Sequence, residues 1–160
     1  MKKYRNNLGF TMIELLVVIA IIGILASIAL ISFSASQKQA RDSNRKSDIK
    51  QYQNALEIFA NKYNGIYPSR TDTSGATAST TLCTDLGLTS CPEDPRNDDD
   101  ATQVYKYQSN GTGAGTVDAT QYVLWTKLEN STDYFVACST GNVGMAAQAG
   151  FSVTGGACPL

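Results

Sequence analysis

The sequence predicts an α+β protein: one long N-terminal α-helix, membrane-spanning in its first half, whose second half packs on a small antiparallel β-sheet head. Three observations predict this. Residues 10–33 are apolar or small apart from one carboxylate, Glu14. Residues 34–64 hold neither proline nor glycine and place Ile49, Tyr52, Leu56, Phe59 and Tyr63 at steps of three and four, one stripe of a helix. Residues 65–160 are rich in turn residues and contain short runs of β-branched and aromatic side chains.

In the first segment, Leu15 to Ile31 is interrupted only by Gly23 and Ser27, and as a helix it covers about 25 Å, enough to cross a hydrocarbon core. Lys2, Lys3 and Arg5 precede it without an acid, which orients the N-terminus to the cytoplasm and the rest of the chain outside. A secretory signal peptide shares the basic start, but its apolar core would be long and "SFSASQKQA" is a loose match to a cleavage site. A plain anchor explains the apolar run but not Glu14, since a carboxylate costs about 2.5–3.5 kcal/mol at the centre of an inserted helix.

The helix continues to Tyr63, where Asn64-Gly65 and then Pro68 stop it. Residues 36–48 lack an apolar stripe and are expected to cross a wet region, helped by an i,i+4 pair between Asp42 and Lys46. Residues 69–102 read as a long loop with one short helix. Val104–Gln108, Tyr122–Leu128 and Tyr134–Ala137 read as strands, with "ENSTD" as a hairpin turn between the last two. Gly141 to Leu160 is expected to add an edge strand or a disulfide-closed loop.

The charges are unevenly spread. The net charge is −1, yet residues 34–64 carry six basic groups against three acids, and residues from Gly65 onward carry four against ten. Attraction between the basic helix segment and the acidic head of another copy would make assembly weaken in high salt. The chain has no histidine, so the commonest general base and metal ligand are both missing. No Ser or Cys has a base beside it in sequence and no Gly-rich loop follows a strand, so the sequence offers no catalytic constellation. An acidic head also lacks the clustered Lys and Arg that bind nucleic acid without regard to sequence, although nucleic acid stays open as a partner.

Cys83, Cys91, Cys138 and Cys158 all fall beyond the apolar segment. An even count there indicates disulfides rather than zinc, because no Cys-x-x-Cys pair exists. Of the three connectivities, Cys83–Cys91 with Cys138–Cys158 closes the shortest loops. Asp94, Asp98, Asp99 and Asp100 are weak calcium candidates without EF-hand spacing, and the simpler expectation is a solvated acidic loop with no cofactor.

Gly9-Phe10-Thr11-Met12-Ile13-Glu14, between a basic leader and the apolar run, resembles the cleavage and methylation motif of type IV pilins and of the pseudopilins of type II secretion. The resemblance implies a leader of residues 1–9, an assembly helix over 10–33, its amphipathic continuation over 34–64 and a head over 65–160. It implies cleavage between Gly9 and Phe10 by a prepilin peptidase, N-methylation of Phe10, and Glu14 as an assembly residue. A subunit of this kind is stored in the inner membrane and drawn through an assembly platform into a homopolymeric extracytoplasmic filament. "YNGIYP" and "DPRNDDDATQVYKY" are similar to stretches of the major pseudopilins, while a surface pilus is equally compatible with the N-terminal motif. The proline that many members carry at the position of Ile31 is absent. A different class, a membrane-anchored extracytoplasmic binding module, would use the same helix purely as an anchor.

Overall fold

The computed structural model describes residues 9–72 and 74–160, apart from the side chains of residues 29–32; the basic residues Lys2, Lys3 and Arg5 lie outside the described residues. Helix α1 spans Met12–Lys62 and passes through Ile31 without interruption, as a segment lacking proline and internal helix breakers should. The chain divides into two compact units, one ending at Gln37 and one beginning at Lys38.

In the N-terminal unit every described side chain from Phe10 to Ile28 is exposed. The polar Ser27 hydroxyl is returned to its own helix by donating to the Ile24 carbonyl at 2.7 Å, the solution a hydroxyl needs in a medium without water. This stretch is long and apolar enough to cross a membrane.

The second unit is the head. Strand β1 (Tyr67–Pro68) is followed by β2 (Ala76–Thr77), a π-helical turn at Ala78–Leu82 running into the short α2 (Cys83–Asp85), then β3 (Lys106–Ser109), β4 (Val117–Ala119), β5 (Tyr122–Lys127), β6 (Tyr134–Cys138) and β7 (Val143–Ala146). The main sheet has the antiparallel order β2-β3-β5-β6-β7, and β1 pairs separately with β4. The three strands expected from sequence are present, with no end shifted by more than two residues. The "ENSTD" turn joins β5 to β6, with Lys127 opposite Tyr134. The short pairs β1–β4 and β2–β3 were not foreseen, because strands of two or three residues carry no periodicity.

Alternation sorts the sheet into two faces. Tyr107, Tyr122, Leu124, Phe135 and Ala137 point toward α1 and join Ile49, Tyr52, Leu56 and Ala60 in one core. Phe59 and Tyr63, expected in that stripe, instead stack on each other at 4.3 Å at the helix rim, and Ala60 takes the buried position. The core is rich in tyrosine, and each buried hydroxyl is spent. Tyr52 donates to the Pro92 carbonyl, Tyr105 to Asp48, Tyr107 to the Pro68 carbonyl, and both Tyr67 and Tyr122 to Glu57.

The other face buries Val123, Trp125, Val136, Cys138 and Ala146 under the C-terminal segment, which contributes Val153 and Phe151. Two glycines permit close approach around this face. Gly156 has φ 70°, and a Cβ there would sit 2.7 Å from the Gln121 carbonyl oxygen; a Cβ on Gly75 would collide with the Trp125 ring.

Two expectations are corrected at the top of the head. Residues 36–48 do not simply cross water: Asp42 and Arg45 are buried. Asp42 is not paired with Lys46 but accepts the backbone N–H groups of Glu129 and Asn130 at 2.8 and 3.0 Å and the Arg45 guanidinium at 2.9 Å. Lys46 instead lies 5.7 Å over the Phe135 ring. Arg45 forks onto Asp94 at 2.7 and 2.9 Å and meets Glu129 at 2.9 Å, while Arg41 forks onto Glu129 at 2.7 and 2.6 Å. The polar stretch of the helix thus carries charges matched by the head rather than by water.

This cluster has a pH signature. Hydrogen bonds from Arg41, with Arg45 adding to them, hold the Glu129 carboxyl down at about 2. Burial alone would raise Asp42, but the two loop N–H groups and Arg45 hold it below the usual range. A depressed carboxylate contributes stability that is complete above its unfolded pKa and is lost as pH falls through its folded value. The urea midpoint of the full chain in detergent should therefore fall between about pH 4.5 and 2. In Glu129→Gln this part of the slope should be missing, so the gap to the parent narrows as pH falls through that window.

Candidate processing and assembly segment

Gly9 and Phe10 precede the helix in irregular, exposed backbone. Among the described residues a Cβ on Gly9 would meet nothing within 4 Å, so their packing gives no reason for glycine there. The Phe10 side chain is 80% exposed and contributes nothing to a core. A small residue and a bare aromatic, neither of use to the fold, are what a site read by another protein looks like.

Thr11 is the N-cap of α1, and Glu14 is its N3 residue. The Glu14 backbone N–H donates to Thr11 Oγ1 at 3.3 Å, and Glu14 Oε2 accepts the Thr11 N–H at 2.9 Å and the Thr11 hydroxyl at 2.6 Å. This is a reciprocal capping box, which satisfies two of the orphan donors at the helix start and sets a carboxylate at the positive end of its dipole. Thr11 as a partner of Glu14 is not among the expectations above, although Thr-x-x-Glu before an apolar run is a legible signal. Among the described residues Oε1 of Glu14 takes no hydrogen bond, so half of the carboxylate is open to a second partner.

The other residues singled out by sequence fall on the head. Cys83 is bonded to Cys91 and Cys138 to Cys158. The first bond closes the turn after α2; the second ties the C-terminal segment to the end of β6. The four aspartates do not converge. Asp94 is buried and committed to Arg45, and it also accepts the Arg96 N–H at 2.9 Å. Asp100 caps its own turn through the Thr102 N–H and hydroxyl. Asp98 and Asp99 are exposed. Among the described residues no three acidic, histidine or cysteine side chains gather as metal ligands would, and Asp94 is part of the helix–head ion cluster.

Comparison with known proteins bears on the N-terminal segment. Residues 4–30 match the family model described as the prokaryotic N-terminal methylation motif. The chain is 36% identical over 69 residues to type II secretion system core protein G of Vibrio cholerae, covering 43% of this chain and 47% of that protein. It is 45% identical over 54 residues to the type IV major pilin of Myxococcus xanthus, covering 34% and 24%. It is 42% identical over 62 residues to the type IV wide pilus major component of Thermus thermophilus, covering 37% and 47%. The chain thus spans about half, or less, of the length of the relatives it matches. No solved structure matches it. The methylation motif, the apolar helix that it opens and the relatives matching that stretch support a place for this chain in the prepilin-like family.

Proposed function

We infer that the chain is a structural subunit of a type IV pilus or of a type II secretion pseudopilus. It is held in the inner membrane by the first half of α1 with its N-terminus in the cytoplasm, and a prepilin peptidase cuts it between Gly9 and Phe10. After N-methylation of Phe10, an assembly platform in the membrane adds it to a filament of like subunits. The carrying observation is that the segment from Phe10 to Ile28 exposes all of its apolar side chains among the described residues, while its one carboxylate is fixed at the capped end of the helix. Such a helix is either in lipid or among copies of itself.

Cutting before Phe10 creates an α-amino group about one helical turn from Glu14. In a bundle of parallel helices staggered along one axis, the Glu14 of one copy faces the amine of the next. A lone charge in that apolar core is strongly disfavoured and a pair is tolerated, so the pair selects one register. Expression with a prepilin peptidase should yield a mature chain that begins, by mass, at a methylated Phe10. An uncut chain would return the protein to a plain membrane-anchored binding module. Glu14→Ala should be cut normally yet abolish filaments or scramble their register in cross-linking, and normal register in that variant would sink the pairing. Deletion of the gene separates the two filament types: a pilus subunit takes surface filaments with it, a pseudopilus subunit takes protein secretion.

A further inference from the structure

Helix α1 covers the inner face of β3, β5 and β6 but stops short of β7. Val143 and Met145 stand opposite Ala137 and Phe135 and share their face, yet they are 39% and 42% exposed while their partners are buried. Helical geometry turns Lys46 and Lys50 to the same side, because about 100° per residue carries them off the buried row of Arg45, Ile49, Tyr52 and Leu56 in one direction. Lys46 over the Phe135 ring confirms that this direction is toward β6 and β7. The result is a shelf with an apolar floor on the last strand and a wall of two exposed lysines.

The chain leading into β3 packs on the opposite side of the same helix. Pro92 accepts the Tyr52 hydroxyl, and Tyr105 reaches Asp48, which is turned away from the two lysines. Between them Pro95, Asp98 and Asp99 are exposed. Asp94 is already neutralised by Arg45, so Glu93, Asp98, Asp99 and Asp100 leave this side acidic against the single Arg96.

We propose that the β7 shelf is the docking surface for the 93–100 loop of a second copy of this chain, with Lys46 and Lys50 facing its carboxylates and Val143 and Met145 covered by its apolar atoms. The choice of a second copy rests on charge and placement together. The two complementary surfaces lie on opposite sides of one head, so the contact is heterologous and passes from copy to copy without closing on itself. The inference rests on the filament reading above and adds which head surfaces meet.

The test is zero-length carbodiimide cross-linking of filaments sheared from cells making the unsubstituted chain, since this reagent joins lysine to carboxylate directly. The expected result is a ladder of dimer, trimer and longer species whose dimer band yields peptides joining Lys46 or Lys50 to the 98–100 segment. Met145→Glu, a surface change, should abolish those peptides while Met145→Leu keeps them. A product that stops at dimers, or a ladder whose linked peptides exclude these segments, overturns the contact and leaves the filament intact. Absence of filaments from the unsubstituted chain overturns the filament reading and the contact with it.

Discussion

Arg45→Ala is expected to destabilise the head by about 3–5 kcal/mol, the range for removing one partner of a buried ion cluster. Both side chains of the Arg45–Asp94 pair are fully buried, and Asp42 and Glu129 retain less than a tenth of their side-chain exposure. Alanine would leave three carboxylates facing one another with only Arg41 and the more distant Arg96 against them. Arg45→Lys keeps the charge but not the fork that serves Asp94 through two nitrogens, so it should fall between alanine and the parent. Urea unfolding of the full chain in detergent measures the series. A loss below about 1 kcal/mol for alanine would mean that water already reaches the cluster.

Removing the second disulfide with Cys138→Ser and Cys158→Ser should cost about 3 kcal/mol from chain entropy alone, for a bridge that spans 20 residues. The structural consequence should be larger than for Cys83–Cys91, which closes only eight. The segment beyond β7 covers the outer face of the sheet, and the bridge is its covalent tie to β6. Trp125 is the only tryptophan in the chain, is 7% exposed and sits 5.7 Å from the Phe151 ring. Its emission should shift to the red in the double variant and stay unchanged when Cys83 and Cys91 are replaced. Unchanged emission in the Cys138/Cys158 variant would show that the packing of Phe151 and Val153 holds the segment without the bond.

What was legible in the sequence followed from periodicity and from one motif. The apolar run, the row from Ile49 to Leu56, and strands β3, β5 and β6 each repeat a spacing long enough to be seen against chance. The motif at Gly9–Glu14 was legible because packing explains so little of it. The ion cluster was not, since Asp42, Arg45, Asp94 and Glu129 come from three separate segments and each looks like an ordinary surface charge by itself. For the same reason the sequence alone groups Asp94 with its neighbours rather than with an arginine 49 residues earlier on the helix. Phe59 and Tyr63 fail the other way: they keep the helical period, but Ala60 takes the buried position and the two rings stack on each other instead.

The sequence distances inside the cluster bear on the order in which this protein is made. Arg45 reaches Asp94 across 49 residues, and Asp42 and Arg41 reach the β5–β6 turn across 87 and 88. Contacts so far apart return the entropy of closing their loops only once the intervening sheet stands. The helix can form as a local structure while its polar side waits, and the head closes on it late. Damage to the cluster should accordingly appear as faster unfolding more than as slower folding. In a cell that makes copies faster than it uses them, the time each head stays shut would then set how long a copy survives.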